Sequence, residues 1–298
     1  MRFGSRYLLM TLPRFAALLL LVLAGVNSLA DAPSPDLSRY FEGRPAAFVL
    51  YDLKNDRYLR FNESRCAQQF PPFSTFKIPN SLIGLDSGAI PNADYVIRWD
   101  SNKYPPQEGF ESWWRDHTLR SAFKNSAVWY YRELALRVGA ERMQQYVDKF
   151  SYGNRDISGG IDHFWLNSSL LISADEQIEF LKKFHAGKLP VSADAVNSVK
   201  EIITLETTPS YKFSGKTGGG YLAEGRALGW FVGYLETKDN VYFFATQIEG
   251  PTFASVQQPR IKITRQILAD LGYMMAAKID GQLRACMGFE CSIERNEA

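Results

Sequence analysis

Ser74 stands three residues before Lys77 in the run Phe73-Ser74-Thr75-Phe76-Lys77-Ile78-Pro79-Asn80-Ser81-Leu82. On a helix, positions i and i+3 share a face, so the Ser74 hydroxyl and the Lys77 amine can meet. A hydroxyl beside an amine is a nucleophile with its base at hand, the arrangement of covalent acyl transfer. The same spacing recurs at Ser121-Ala122-Phe123-Lys124, so spacing alone does not choose between the two copies. Other routes to hydrolysis are poorly supplied. The three histidines, His117, His163 and His185, lie far apart, and neither His-x-His nor His-Glu-x-x-His occurs. That argues against a catalytic zinc and against a histidine-based triad. No Gly-x-Ser-x-Gly elbow is present either.

The elements that must position these groups can be read from periodicity. Pro71-Pro72 stops the chain, so Ser74 falls where a helix begins, with Pro79 a candidate kink inside it. Upstream, Ala46 to Leu53 reads as a buried strand, Lys54-Asn55-Asp56 as a turn, and Arg57 to Phe61 as a returning strand. Downstream, Ser121 to Val138 is apolar at helical spacing and Ala140 to Phe150 continues the theme, placing Ser126 on a middle helix. Gly153-Asn154 and Gly159-Gly160 mark loops. Ser173 is a helix cap, with Asp175 and Glu176 in the first turn of a helix ending at His185. Asp194 to Thr204 is amphipathic. Tyr211 to Thr217, Ala227 to Glu236 and Val241 to Gln247 are strands, and Arg260 to Met275 is a closing helix. The order predicts an α/β chain of the α+β type, one antiparallel sheet built from both chain ends with a helical lobe inserted. The cleft between two such lobes is the expected place for a site.

Bulk properties narrow the classes. Of 298 residues 46% are hydrophobic and 22% charged, with a net charge of +2, so neither a nucleic-acid surface nor an acidic tail is indicated. Arg2, Arg6 and Arg14 precede the apolar run Phe15 to Ala24, and Ser28-Leu29-Ala30 is a small-x-small cleavage pattern. The run is short of the roughly 20 residues a bilayer span needs. The expectation is a signal peptide over 1–30, then a single catalytic domain over 31–298, periplasmic or secreted and free of the membrane after cleavage. Its sheet lobe would take about 40–70 and 205–275, with the helical lobe between. In an oxidising compartment Cys286 and Cys291 can close a small loop, leaving Cys66 over; three unpaired thiols are the alternative.

Three further motifs follow the first serine: Ser126-Ala127-Val128, Tyr152-Gly153-Asn154 and Lys216-Thr217-Gly218. Each alone has a plain reading as helix, turn or strand. As an ordered set, with Ser74-Thr75-Phe76-Lys77, they closely resemble the class D (oxacillinase-type) serine β-lactamases. The resemblance runs from about Ala46 to Tyr273 and includes Ile157 to Leu166 and Ala227 to Gly233. It implies the serine β-lactamase/penicillin-binding transpeptidase-like fold, a β-lactam as small-molecule substrate, and a monomer or homodimer. It also makes Ser121-x-x-Lys124 a decoy on the helix that delivers Ser126.

A β-lactam is a strained acylating agent with a carboxylate beside the ring, and opening it needs a nucleophile, bases, an oxyanion hole and a cationic anchor. By resemblance, Ser74 is the nucleophile and Lys77, carboxylated on its amine (N6-carboxylysine), is the base of both steps. Carbon dioxide or bicarbonate is then the only co-reactant implied, and no metal. An apolar setting disfavours the ammonium form, and only a neutral amine adds carbon dioxide. Phe76, Val128, Trp165 and Leu166 are the expected pocket, with the Trp165 indole donating to the carbamate. Val128 replaces the asparagine usual at this place in transpeptidases and class A enzymes, and an apolar side chain suits a dry lysine. Ser126 would relay a proton to the ring nitrogen. Lys216, a fourth catalytic residue, would with Thr217 help bind the substrate carboxylate and hold the proton network; Gly218 and Arg260 would bind substrate, and the backbone N–H groups of Ser74 and Gly219 would form the oxyanion hole. Tyr152-Gly153-Asn154 would shape the loop carrying Trp165. Two features bear on substrate range: a glycine-rich connection from Gly218 through Arg226, and the bulk of Trp129. A β-lactam receptor that acylates without turnover is the competing class, and a transpeptidase is a third.

Overall fold

Strand β1 (Ala46–Asp52) alternates its buried side chains between two cores. Ala47, Val49 and Tyr51 join one, while Ala46, Phe48 and Leu50 join the other. A strand apolar on both faces must be covered on both. The computed structural model describes residues 35–166 and 169–275, together with Met1 and Gly4. The chain divides into Met1–Pro35 and Asp36–Ala298, and the second unit carries the sheet and its helices. The 1–30 signal expectation, beyond Met1 and Gly4, and the Cys286–Cys291 pairing lie outside the described residues.

The remaining strands are β2 (Arg57–Phe61), β3 (Thr204–Thr207), β4 (Tyr211–Tyr221), β5 (Ala227–Thr237) and β6 (Val241–Gly250). They form one sheet in the order β2-β1-β6-β5-β4-β3, every neighbour antiparallel. The expected sheet from both chain ends is therefore observed, closed by the β1–β6 pairing from Ala46↔Ile248 to Asp52↔Tyr242. Cys66 is a buried thiol donating to the Phe61 carbonyl at 3.2 Å, and burial pushes it up to about 12.

The helices are α1 (Glu63–Ala67), α2 (Lys77–Asp86), α3 (Leu119–Lys124), α4 (Val128–Val138), α5 (Ala140–Phe150), α6 (Ala174–His185), α7 (Ala193–Ile202), α8 (Ala254–Gln257) and α9 (Pro259–Asp270). Helix α2 is the axis of the helical lobe, buried from Lys77 through Gly84. A Cβ at Gly84 would sit 2.7 Å from Leu134, so this glycine lets α2 and α4 cross closely. Helix α9 packs on the opposite face of the sheet through Ile261, Ile267 and Leu268.

Several expectations need correction. Pro79 lies in the first turn of α2 and breaks nothing, since its missing N–H would have had no intrahelical partner there. The middle helix is two helices, because the chain turns at Asn125–Ala127 and Ser126 adopts a left-handed φ of 54°. Gly218 to Gly220 is strand, not connection, and only Leu222 to Arg226 forms the turn. The last helix starts at Pro259 and ends at Asp270. Strands pair where an open edge offers hydrogen bonds, which is how the four-residue β3, too short for its periodicity to mark it, joins β4.

Candidate active site

Ser74 sits in a 3₁₀ turn, Phe73–Phe76, that runs straight into α2. The turn is fixed from several sides. The Phe73 N–H donates to the Trp165 carbonyl at 3.0 Å, and the Trp230 indole donates to the Pro71 carbonyl at 3.0 Å. Thr75 Oγ1 donates to the Pro72 carbonyl at 2.8 Å and accepts from the buried Gln177 amide at 2.9 Å. Phe73 itself holds a left-handed φ of 48°. Such strain persists only where the surroundings over-determine it, and it is frequent at functional sites. Here it falls beside Ser74, as the strain at Ser126 falls on the other serine.

The glycine run explains how the turn reaches the sheet. A Cβ at Gly218 would stand 2.7 Å from the Pro72 oxygen, and one at Gly220 would overlap the Phe73 ring. These two glycines face the nucleophile turn because alternate residues of a strand share a face. Gly219 faces the other way. Its Cβ would meet the Arg260 guanidinium at 2.7 Å and the Phe253 ring at 2.8 Å. The cross-strand partner Gly229 likewise clears the Arg260 stem, 3.2 Å from where its Cβ would be.

Lys77 Nζ donates to Ser74 Oγ at 2.8 Å. The lysine is 1% exposed, beneath a Tyr131 ring whose centroid is 5.1 Å from Nζ. Phe76, its neighbour, packs on Tyr152, Phe164 and Trp165 at centroid distances of 5.5, 5.0 and 5.6 Å. Burial alone pulls Lys77 down to about 7. The Trp165 indole N–H is buried and has no partner. Val128 opens α4 and Leu166 follows Trp165, both half-buried. Trp129 points elsewhere, donating to the Trp113 carbonyl at 2.8 Å and packing on Tyr104 and His117.

Lys216 Nζ donates to Ser126 Oγ at 3.1 Å and to the Thr217 carbonyl at 2.9 Å. Burial, then Lys77 and Arg260, holds it well below the usual lysine range. Arg260 is the second residue of α9 and is 3% exposed; its Nη1 donates to the Gly218 carbonyl, while Nε has no partner. Burial lowers its guanidinium to about 9. Among the described residues no carboxylate lies within 4 Å of Lys77, Lys216 or Arg260. Three buried basic groups without a counter-charge bear the full desolvation cost of any charge they carry, and an anionic ligand would relieve it.

The structure also separates the two Ser-x-x-Lys copies. Ser121 Oγ accepts from the Thr118 N–H at 3.0 Å in the capping box of α3, and Lys124 is exposed. His117 Nε2 must donate to the Ser112 carbonyl, 3.0 Å away, so its Nδ1 accepts from Ser121 Oγ at 2.9 Å. Ser121 is thus spent on structure. Tyr152-Gly153-Asn154 staples the loop as expected: Asn154 exchanges bonds with Leu171 at 2.9 and 3.0 Å and donates to the Ser169 carbonyl at 2.8 Å. Sequence reasoning missed Gln177, Phe73 and Phe253, and also Arg132, whose ion pair with Asp162 ties α4 to the Trp165 loop. Nothing in their spacing marks them. No cluster of three metal-ligating side chains occurs among the described residues.

A turn-borne serine and lysine, a second serine facing a strand lysine, and a sheet flanked by helices define a serine acyl-transfer fold. Residues 29–271 match the family "Penicillin binding protein transpeptidase domain". Within that fold the chain belongs to the class D β-lactamases. It is 44% identical over 209 residues to the probable β-lactamase YbxI of Bacillus subtilis, covering 70% of this chain and 76% of the relative. The crystal structure of a class D β-lactamase YbXI from Nostoc matches with a TM-score of 0.75 at 40% identity, covering 80% of this chain and 99% of that one. The methicillin resistance mecR1 protein of Staphylococcus aureus is 36% identical over 235 residues, which are 79% of this chain but 39% of the relative.

Proposed function

We propose that the protein hydrolyses β-lactam rings through an acyl-enzyme on Ser74, conferring resistance to penicillin-type antibiotics. The observation that carries this reading is the double pairing of Lys77 Nζ with Ser74 Oγ at 2.8 Å and Lys216 Nζ with Ser126 Oγ at 3.1 Å, both lysines buried. Ser74 Oγ attacks the lactam carbonyl, and the Ser74 and Gly219 backbone N–H groups receive the developing oxyanion. The ring C–N bond breaks as Ser126 passes a proton to the nitrogen. Thr217, Lys216 and Arg260 bind the substrate carboxylate. Water then releases the acyl group and restores Ser74.

The base of both steps is Lys77 carboxylated by carbon dioxide. Two features of the site fit that group. The amine is pulled to about 7, so the neutral form is accessible, and the Trp165 indole N–H is a buried donor with no partner. Trp165 would hold the carbamate, inside the apolar wall of Phe76, Val128 and Leu166. Once bound, the group supplies a carboxylate-type base beside Ser74. Among the described residues no helix is long and apolar enough to cross a membrane. Export after cleavage at Ala30, to the periplasm or medium, completes the proposal.

The test is hydrolysis of a chromogenic β-lactam with and without bicarbonate, together with mass spectrometry of the adduct. Turnover lost in carbon dioxide-free buffer and restored by bicarbonate is expected. A stable acyl adduct without turnover would support the receptor reading that the mecR1 similarity raises. Turnover indifferent to bicarbonate would refute the carbamate.

A further inference from the structure

Helix α4 and the loop that carries Trp165 reach Lys77 from two sides. From α4, the Tyr131 ring centroid lies 5.1 Å from Lys77 Nζ, and the Tyr131 hydroxyl is 2.9 Å from Ser81 Oγ on α2. From the loop, Phe164 and Trp165 pack on Phe76, the residue before Lys77, at centroid distances of 5.0 and 5.6 Å. Arg132 follows Tyr131 on α4, and Asp162 stands shortly before Phe164 on the loop. Arg132 Nε and Nη2 donate to Asp162 Oδ2 at 3.0 and 2.5 Å. Among the described residues this is the one hydrogen-bonded ion pair between α4 and residues 155–166, and no backbone bond joins them.

Both partners are held from behind. The Arg132 guanidinium lies 5.4 Å from the Tyr104 ring centroid. His163 Nδ1 must donate to Asp162 Oδ1, 2.7 Å away, because a carboxylate only accepts. Burial raises the Asp162 carboxyl, but the bonds from His163 and Arg132 outweigh it and hold it below the usual range, so the pair is ionic. A cavity of about 240 Å³ lies on the other face of α4, lined by Val128, Trp129 and Arg132 with Tyr104 and Trp113. Val128 and Arg132 share that face at i and i+4, while Tyr131 covers Lys77. Helix α4 therefore stands between this cavity and the lysine.

We propose that Arg132 and Asp162 are positioning residues for the base: their ion pair clamps α4 and the Trp165 loop together around Lys77, and so sets how readily carbon dioxide carboxylates it. The inference rests on the carboxylation proposed above and adds two residues to it. Carboxylation needs a neutral amine, and burial supplies it by pulling Lys77 down to about 7. Parting the loop from α4 admits water, which favours the ammonium form, and carries the Trp165 indole away from the carbamate. Recovery of one unit of that lowering leaves about tenfold less neutral amine below pH 7. The side chains of Arg132 and Asp162 are 37% and 22% exposed, and so exposed a pair contributes little to global stability. Its loss should be felt at Lys77 and not in the fold as a whole.

The experiment titrates bicarbonate at one pH below 7 and follows carbon-13 NMR of the labelled carbamate alongside hydrolysis of a chromogenic β-lactam. Arg132→Gln and Asp162→Asn should each raise the bicarbonate concentration for half-maximal carbamate about tenfold. The double variant should match the singles rather than multiply them, as for two residues acting through one contact. Arg132→Lys keeps the charge and, should the Gln variant not fold, keeps the test available; its shift should fall between wild type and Asp162→Asn. At saturating bicarbonate the carbamate signal and the hydrolysis rate should return to near wild type, which a general loss of packing would not allow. Half-saturation unchanged in every variant, or a double variant whose shift is the product of the singles, would overturn the clamp. Wild-type protein without a carbamate signal at saturating bicarbonate would overturn the carboxylation reading instead, so the two failures are distinct.

Discussion

Replacing Trp165 by Phe keeps a buried ring against Phe76 but deletes the indole N–H, the donor without a partner. A hydrogen bond to a charged group contributes about 1.5–3 kcal/mol. Removing it should therefore weaken carboxylation of Lys77 by about 10- to 150-fold. The bicarbonate concentration giving half-maximal turnover should rise by that factor, with the maximal rate recovered in part at high bicarbonate. Stability in carbon dioxide-free buffer should change little. The lost ring atoms cost about 1–2 kcal/mol, and relief of an unsatisfied buried donor offsets about 1–3 kcal/mol. Bicarbonate titrations of hydrolysis and carbon-13 NMR of labelled carbamate are the assays. A variant with wild-type bicarbonate dependence and a full carbamate signal would refute the role of the N–H. Loss of folding in carbon dioxide-free buffer would refute the energetic argument instead.

The same geometry has other consequences. Lys77 is lowered by burial from 10.5 to about 7, so in the window between these values the unfolded chain binds more protons than the folded one. The burial penalty is full below about 7 and relieved as pH rises. Lys77→Met should be more stable than bicarbonate-free wild type at pH 6, and the gap should shrink by about 3 kcal/mol at pH 9; denaturant midpoints that run parallel would contradict this. At fixed dissolved carbon dioxide, the rate of carboxylation should fall about tenfold per unit below pH 7 as the neutral amine is depleted, and its equilibrium extent about a hundredfold, because the ammonium form releases two protons on becoming the carbamate; a flat profile from pH 5.5 to 8 would count against it. Ser74→Ala should abolish the acyl adduct, whereas Ser121→Ala should keep it and lose about 1 kcal/mol of stability with its hydrogen bond to the Thr118 N–H in the capping box of α3; mass spectrometry and denaturation decide. Gly218→Ala would put a Cβ 2.7 Å from the Pro72 oxygen and 2.9 Å from the Thr75 nitrogen. It should cost about 1–3 kcal/mol and slow acylation about a hundredfold by displacing the serine. Wild-type acylation in stopped-flow measurements would show that the close approach is not needed.

The parts of the site that were legible in the sequence are those written in local order. Ser74 and Lys77 share a turn, Ser173 and Glu176 cap a helix, and the unbroken apolar run of β1 marks a buried strand. What stayed hidden depends on partners distant in sequence. Helical spacing carries through Asn125–Ala127, yet the chain turns there, held by the Trp113 indole on the Asn125 carbonyl at 2.9 Å and the Ser126 N–H on the Phe123 carbonyl at 3.1 Å. A continuous helix would hold Ser126 in ordinary helical backbone; the break gives it the left-handed conformation in which its hydroxyl meets Lys216. Gln177 is likewise invisible, an unremarkable polar residue until α6 brings it to Thr75.

The glycines show why composition misled. A Gly-Gly-Gly run reads as a loop because glycine gains nothing from strand packing. In β4 the missing side chains are the structural requirement. The nucleophile turn lies on one face of the run and Arg260 on the other, each closer than a Cβ would allow. Ser74 and the arginine therefore converge on one strand from opposite sides. Adding side chains at Gly218 and Gly219 would separate them, so the run is better understood as part of the site than as a linker beside it.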